Sequence, residues 1–227
     1  MTEPPIALIV GASRGLGLGL VEALLGRGWR VTATERKRSP QLAALATEAL
    51  AIETVDIDDD DAVGALRGRL GARSFDLVFV VAGVATAIAD PLHHVPRDVA
   101  AQVYVTNAVS PIRFAEAFAD RVTPGGTIAF MSSILGSVTL NENGGSETYR
   151  ASKAALNTYA RSFEARHRGR PFGVLLLHPG WVRTDMGGAD ADIDIPTSVA
   201  GMIEVIEGQI GRRGIAYPDY TGQPLAW

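Results

Sequence analysis

The sequence predicts an α/β fold in which helices cover both faces of a doubly wound parallel sheet. The run IALIV at residues 6–10 is short, branched and uncharged, which is typical of a strand buried on both faces of such a sheet. Strand-like and helix-like segments then alternate along the chain, as they do in βαβ units. The helical spacing that follows the first run is carried by Leu16, Leu20, Val21, Leu24 and Leu25.

The whole chain reads as one domain, residues 1–227, because no linker or charge block divides it. The formal net charge is −4 and the basic residues are dispersed, so we expect no nucleic-acid partner. The chain has no cysteine, which excludes disulfides and thiolate metal sites and suits a reducing compartment. No apolar run is long enough to cross a bilayer, and no basic leader begins the sequence. We therefore expect a cytoplasmic protein with no membrane partner.

A glycine-rich loop joins the first strand to the first helix. Gly11, Gly15 and Gly17 form the pattern G-x-x-x-G-x-G, which lets the backbone approach a ligand closely and offers helix N–H groups to a phosphate. This context predicts a dinucleotide cradle. Glycines at a helix start can also serve a tight turn and close packing of helix on strand. The residues expected at the cradle are Gly11, Ser13, Arg14, Gly15, Leu16 and Gly17.

A second strand, residues 30–34, ends in the charged run Glu35-Arg36-Lys37-Arg38. In a nucleotide-binding fold of this order an acid at this point binds the ribose of NAD, whereas an arginine accommodates the 2′-phosphate of NADP. Both kinds of side chain are present. Because Arg14 and Arg36 together supply two cations for the phosphate, we expect NADP(H) in preference to NAD(H).

The rest of the chain supplies three more strands and the helices between them. Asp56 and Ile57 follow the third strand, and Asp56 is placed to meet an adenine. The acidic runs at 56–61 and 190–194 lack the glycine and glutamate spacing of a calcium loop, so we expect no metal site. Ala82 and Gly83 follow the fourth strand as a small pair that would face a cofactor. The predicted elements are a helix at 43–50, a strand at 51–55, a helix at 62–70, strands at 75–81 and 127–131, and a mainly helical stretch at 98–120 interrupted at Ser110-Pro111.

Tyr149 and Lys153 are four residues apart, which places both side chains on one face of the next helix. An ammonium beside a phenol favours the phenolate, so we expect Lys153 to lower the pKa of Tyr149. Ser133, at the end of the fifth strand, could hold a substrate oxygen in line with the phenol. With a hydride from a nicotinamide, these roles fit the reduction of a carbonyl to an alcohol, or the reverse.

Several of these motifs, in this order, resemble the short-chain dehydrogenases/reductases. They are VGASRGLG, Asn107, SSILG around Ser133, YRASK from Tyr149 to Lys153, and PGWVRT from Pro179. The phrases YRASKAALN and HPGWVRTDMGG resemble the C-factor and sniffer carbonyl-reductase branch. The resemblance implies a single Rossmann-type sheet of about seven strands. It also implies a catalytic tetrad of Asn107, Ser133, Tyr149 and Lys153, in which the tyrosine is the acid/base, the serine steadies the carbonyl oxygen, the lysine binds the ribose and the asparagine supports a relay water.

The resemblance extends to the segments around the nicotinamide and the substrate. It implies contacts to the nicotinamide from Pro179, Gly180, Val182 and Thr184, followed by a mobile covering loop at 185–196. Two departures remove polar side chains that brace the family's cofactor site: Val80-Val81 replaces an asparagine pair, and Val10 replaces a threonine. The apolar wall expected of the substrate pocket comprises Ile134, Leu135, Val138, Trp181 and Met186, which suits a hydrophobic ketone, aldehyde or quinone.

Assembly is also implied by the resemblance. The helices containing residues 99–118 and 149–163 are similar to those by which the family pairs subunits, so we expect a homodimer or homotetramer.

Two other functions are compatible with parts of the pattern. Gly11 to Gly15 also fits the G-x-S-x-G elbow of hydrolases, with Ser13 as nucleophile and His178 as a possible base, but the elbow then follows the first strand rather than a later one. The chain could also be a non-catalytic nucleotide sensor on the same fold, because fold does not fix function.

Overall fold

A sheet of seven parallel strands organises the computed structural model, which describes residues 3–227. Its strand order is β3-β2-β1-β4-β5-β6-β7, so the chain reverses its direction of growth between β1 and β4. The strands are β1 (Ile6–Val10), β2 (Arg30–Glu35), β3 (Leu50–Thr54), β4 (Phe75–Val80), β5 (Val122–Met131), β6 (Gly173–Leu177) and β7 (Gly214–Ala216). This doubly wound order is the fold class that the sequence predicts. In sheets of this kind ligands bind beyond the carboxyl ends of the strands, at the reversal.

Helices cover both faces of the sheet. They are α1 (Gly15–Gly26), α2 (Pro40–Ala44), α3 (Asp60–Arg69), α4 (Arg97–Tyr104), α5 (Ser110–Phe118), α6 (Glu147–Arg166) and α7 (Ile195–Gln209). One apolar layer joins the sheet to α3, α5 and α6, and the other joins it to α1, α2 and α7. None of the described helices combines the length and the apolarity needed to cross a bilayer.

The first strand shows why the sequence builds two layers. Successive side chains of a strand point to opposite faces. Ala7 and Ile9 therefore enter the layer with α1, while Leu8 and Val10 enter the layer with α6, and all four are fully buried. A strand that is buried on both faces needs a continuous apolar run, which is the pattern from which it was predicted.

The predicted helix at residues 43–50 is wrong. The structure has the shorter α2, which ends at Ala44, and β3 begins at Leu50. Ser39 caps α2 by accepting a hydrogen bond from the Leu42 amide at 3.2 Å, and Pro40 occupies the first turn, where proline is tolerated. These start signals lie before the region in which apolar spacing suggested a helix.

The stretch at 98–120 is helical, but its interruption lies earlier than predicted. A π-helical turn at Val105–Val109 separates α4 from α5, whereas Ser110-Pro111 begins α5. Pro111 lies in the first turn of α5, where a missing N–H costs least. The π turn carries Asn107, and such turns often occur at functional sites.

Strand β5 begins at Val122, five residues before the predicted start at 127. It includes Pro124, Gly125 and Gly126, which suggest a turn in the sequence. An irregularity in the pairing of β5 with β4 accommodates them. A Cβ on Gly126 would lie 2.9 Å from the carbonyl oxygen of Asp76, so the two strands approach too closely there for a side chain.

Candidate active site

A cleft of about 950 Å³ opens over the carboxyl ends of the central strands. Its walls come from the segments that follow β1 to β6, together with the start of α6. The predicted site residues that line it are Gly11, Ser13, Arg14, Gly15, Leu16, Gly17, Arg36, Asp56, Ile57, Ala82, Gly83, Ser133, Leu135, Tyr149, Lys153, Pro179, Gly180, Trp181, Val182, Thr184 and Met186. Two of the residues predicted for the site, Asn107 and Val138, do not line it. The structure therefore brings residues from distant parts of the chain into one site.

The glycine loop forms one end of the cleft. A Cβ on Gly17 would lie 2.2 Å from the carbonyl oxygen of Gly11, and a Cβ on Gly11 would lie 2.8 Å from Ala82. Close packing within the protein, which the sequence left open as an alternative, thus already requires these two glycines. Gly15 has φ +57°, a left-handed conformation that glycine adopts at little cost.

Two hydroxyl groups brace this loop from the second strand and its following turn. The Gly11 amide donates to Thr34 Oγ1 at 3.1 Å, and Ser39 Oγ donates to the carbonyl oxygen of Ser13 at 2.6 Å. They support the loop although Val10 lacks the hydroxyl usual in the family. Neither residue was predicted from the sequence, although a hydroxyl near the end of β2 is a signal that points to Thr34.

The N-terminus of α1 can receive a phosphate. Arg14, at the N-cap, makes no side-chain capping bond, and no acidic residue lies in the first turn. The first N–H groups of a helix lack partners within it, and together with the helix dipole they favour an anion. The residues present therefore fit a dinucleotide whose phosphates lie against this helix.

The acid and the arginine at the end of β2 occupy different environments. Glu35 is 7% exposed, accepts a hydrogen bond from the Ser39 amide at 2.7 Å and is not part of the cleft wall. Arg36 lines the cleft with an exposed side chain, and its Nη1 lies 3.8 Å from Asp56 Oδ2. Arg14 lines the same end and forms an ion pair with Asp185. The guanidinium groups, rather than Glu35, therefore face the cleft.

Tyr149 and Lys153 lie on the buried face of α6 and both line the cleft. Lys153 Nζ lies 5.6 Å from the centroid of the Tyr149 ring and donates to the carbonyl oxygen of Met131 at 2.8 Å. Burial raises the pKa of Tyr149 to about 12 and lowers the pKa of Lys153 to about 8. The pKa of Tyr149 is therefore raised rather than lowered as expected, because burial removes the hydration that the phenolate needs.

Ser133 follows β5 in an extended conformation and caps the short 3₁₀ turn at Ile134–Gly136. Its Oγ accepts a hydrogen bond from the Leu135 amide at 3.1 Å. The hydroxyl proton is thus available for a second partner in the cleft. The neighbouring Ser132 points to α6, where its Oγ donates to Asn157 Oδ1 at 2.6 Å.

Asn107 lies behind the cleft and is fully buried. Its Oδ1 accepts from the Val84 amide, and its Nδ2 donates to the carbonyl oxygen of Val84, both at 2.8 Å. Nδ2 also donates to Ser152 Oγ at 3.0 Å. Asn107 therefore braces the segment after β4. At the two positions where the family has an asparagine pair, Val80 lies in the core and Val81 packs against the layer with α1. The support of a relay water by Asn107 stays a prediction.

The other end of the cleft is apolar. Trp181 and Met186 line it with about half of each residue exposed, and Trp181 Nε1 donates to the carbonyl oxygen of Gly187 at 2.9 Å. Leu135 and Ile134 also line this end, as expected. Val138 does not line the cleft. It is 73% exposed, so its inclusion in the predicted wall is wrong.

His178 lines the cleft and was considered in the sequence only as a possible hydrolase base. Among the described residues, its buried Nδ1 has no hydrogen-bond partner, so this nitrogen makes no bond to Ser13. Burial lowers the pKa of His178 to about 4, although Asp219 opposes the shift. Ile88, Ser146 and Tyr220 also line the cleft, and nothing in their sequence context singled them out.

Comparisons with known proteins agree with this geometry. The pattern of the family described as short chain dehydrogenase matches residues 5–193. A Burkholderia multivorans structure described as a short-chain dehydrogenase/reductase with bound NADP has a TM-score of 0.97 and 43% identity, over 99% of this chain and 100% of its own. A carbonyl reductase from Pseudomonas aeruginosa PAO1 in complex with NADP has a TM-score of 0.92 and 41% identity, with coverages of 99% and 100%. The C-signal protein of Myxococcus xanthus is 40% identical over 129 residues, which are 56% of this chain and 78% of its own.

Proposed function

Because this chain belongs to the short-chain dehydrogenase family, we propose that it is an NADP(H)-dependent oxidoreductase. Its substrate is a small hydrophobic carbonyl compound or the corresponding alcohol, and Tyr149 is the general acid/base. The observation that carries the proposal is that Tyr149, Lys153 and Ser133 line one cleft with the glycine loop, although they lie more than 110 residues further along the chain.

The cleft offers a group for each part of the cofactor. The start of α1, Arg14 and Arg36 would hold its phosphates, and Asp56 with Ile57 would meet its adenine. Lys153 would bind the ribose of the nicotinamide, while Pro179, Gly180, Val182 and Thr184 would contact the nicotinamide. The bound cofactor supplies or accepts the hydride. NADP(H) is preferred because Arg36 faces the cleft while Glu35 is buried against Ser39.

The protein side of carbonyl reduction is proton transfer. With a pKa of about 12, Tyr149 carries its proton at neutral pH and can donate it to the substrate oxygen as the hydride reaches the carbon. Ser133 Oγ can donate a hydrogen bond to the same oxygen and orient it. Lys153, whose pKa is about 8, is charged at pH 7 and favours the phenolate that forms as the proton leaves. At neutral pH the buried phenol is thus in the protonated form that carbonyl reduction requires.

The substrate end of the cleft supports a hydrophobic carbonyl compound. Leu135, Trp181 and Met186 supply apolar surface there. Residues 1–227 would form one domain, and α4 to α6 would pair subunits in a homodimer or homotetramer. Tyr104 and Val105 are exposed on these helices, as a pairing surface requires.

The proposal is tested by Tyr149→Phe, which keeps the ring and removes the reacting hydroxyl. We expect kcat for NADPH-dependent reduction to fall by about 10³-fold, while the Kd for NADPH from fluorescence titration changes by less than about threefold. A panel of hydrophobic ketones, aldehydes and quinones supplies the substrate. Tyr159→Phe is the matched control, because it removes a hydroxyl on the same helix that bonds to Tyr104.

Wild-type protein that binds NADPH but reduces no member of the panel would contradict the enzyme assignment and favour a nucleotide sensor. A Tyr149→Phe variant with wild-type turnover would exclude this residue as the acid/base.

A further inference from the structure

Two hydrogen bonds hold the backbone carbonyl of Ser133. The Gly136 amide donates to this oxygen at 2.8 Å, which closes the 3₁₀ turn that Ser133 caps. Tyr217 Oη donates to the same oxygen at 2.5 Å. The second donor comes from the segment just after β7, 84 residues away in the sequence.

Tyr217 is itself held in place. It is 4% exposed, and the ring of Trp227 lies 5.3 Å from its ring, between centroids. The Leu225 amide donates to the carbonyl oxygen of Tyr217 at 2.8 Å, and Leu225 packs against the apolar layer on the α6 side of the sheet. With its backbone bonded and its ring enclosed, Tyr217 presents its hydroxyl in one direction.

The same segment reaches the loop beyond Ser133. The carbonyl oxygen of Trp227 accepts hydrogen bonds from the Thr139 amide at 3.1 Å and from Thr139 Oγ1 at 2.5 Å. The guanidinium of Arg161, on α6, lies 4.3 Å from the centroid of the Trp227 ring. Residues 217–227 thus connect the start of the loop at Ser133 with its middle at Thr139.

We propose that Tyr217 is a positioning residue that fixes the backbone of Ser133, and that the segment 217–227 is a brace for the active-site loop. The inference rests on the proposed function, since it assumes that Ser133 orients a substrate oxygen. Ser133 Oγ can only point along directions that its backbone allows, so its aim depends on the carbonyl that Tyr217 holds. Small displacements of orienting groups reduce turnover strongly.

The experiment is Tyr217→Phe, which removes the hydroxyl and keeps the ring beside Trp227. We expect kcat for carbonyl reduction to fall about tenfold, with less than about a twofold change in the Kd for NADPH, because the Gly136 bond still holds part of the turn. Amide exchange should become faster at Leu135 and Gly136, whose N–H groups bond to Ser133 atoms. Mass spectrometry of peptides covering residues 133–140 measures it.

Thr123→Val is the matched control, because it also removes a hydroxyl that donates between distant elements, to Asp76 Oδ1 at 2.6 Å, but at the opposite end of β5 from Ser133. Trp227→Ala should reproduce part of the Tyr217→Phe effect, since it removes the ring that packs beside Tyr217.

Unchanged exchange at residues 133–140 in Tyr217→Phe would overturn the inference, whatever the activity. Wild-type kcat in this variant would overturn it as well. Faster exchange in a protein whose wild type reduces no carbonyl would support the brace and count against the oxidoreductase proposal. The two proposals therefore fail in different ways.

Discussion

At the scale of single residues, burial decides the chemistry of the Tyr149–Lys153 pair. The spacing of four residues was enough to predict that both side chains share a helix face, and they do. The direction of the pKa shift was not predictable, because it depends on how much water each group loses when the sheet and α6 close around it. Lys153 is only 3% exposed, and its ammonium donates to a backbone carbonyl rather than to the phenol.

The buried ammonium should set the pH dependence of carbonyl reduction. Because the pKa of Lys153 is lowered to about 8 and that of Tyr149 is raised to about 12, the lysine loses its proton first as the pH rises. Both groups keep their protons below pH 7, so we expect this pair to leave kcat/KM for NADPH-dependent reduction constant there. Well above pH 8, where the lysine has lost its proton, kcat/KM should fall about tenfold per pH unit. A pH–rate profile at saturating NADPH measures this.

Lys153→Met is the control for that profile, since it keeps most of the side-chain volume without the charge. It should be much less active and show no inflection near pH 8. A wild-type profile that stays flat up to pH 10 would contradict the role of the ammonium.

At the scale of elements, the turn from β2 into α2 separates two residues that are adjacent in sequence. Glu35 ends the strand and faces inward to bond the Ser39 amide, and the next residue, Arg36, faces the cleft. The sequence alone left both as candidates for the cofactor ribose. Only the path of the turn, which the Ser39 cap of α2 fixes, distinguishes them.

Arg36→Ala should therefore change cofactor preference. We expect the Kd for NADPH to rise about tenfold and the Kd for NADH to change little, because the guanidinium would meet only the 2′-phosphate. Fluorescence titration with each cofactor measures both. Lys37→Ala is the matched control, because it removes a neighbouring exposed cation that does not line the cleft. Equal wild-type affinities for NADPH and NADH would refute the preference.

Apolar sequence patterns predict some helices and strands of this fold and miss others. The strand at residues 6–10 was predicted with its observed bounds because the run is short and apolar, and Pro5 and Gly11 stand at its two ends. The pattern at residues 43–50 did not separate a helix from a turn, since Ala43, Ala46 and Leu50 keep a helical spacing without forming one helix. Strands β6 and β7 were implied only by the resemblance, because β7 has three residues and too little pattern to identify.

At the scale of the whole molecule, the order of motifs along the chain carried most of the functional information. The strand order then brings the loops after β1, β4, β5 and β6 together at one edge, so the predicted residues meet. Bracing contacts were beyond prediction, because Thr34, Ser39 and Tyr217 act through single hydrogen bonds between elements that are distant in sequence.

His178 should make the stability of the whole fold depend on pH. Burial holds its pKa at about 4 in the folded protein, below the ordinary value of 6.5 in the unfolded chain. The unfolded state therefore binds the extra proton first as the pH falls, and stability is lost from about pH 6.5 down toward pH 4. We expect this group to lower the free energy of unfolding by about 2 kcal/mol at pH 5 relative to pH 7.

Urea unfolding at pH 7 and pH 5 measures the effect, with the wild type compared to His178→Gln. The variant should lose less stability between the two pH values. His93→Gln is the control, because His93 is exposed on a short 3₁₀ turn and should leave the difference unchanged. Identical losses in the wild type and His178→Gln would show that the buried imidazole is not responsible.

Two arginines of the cleft are each already near a carboxylate: Arg14 beside Asp185 and Arg36 beside Asp56. Any anion that enters must displace or share these partners, and all four side chains are exposed enough for dissolved salt to weaken their attraction. Inorganic phosphate and sulfate in a buffer would compete for the same guanidinium groups. NADPH affinities measured in phosphate buffer should thus be lower than those measured in a zwitterionic buffer at low ionic strength.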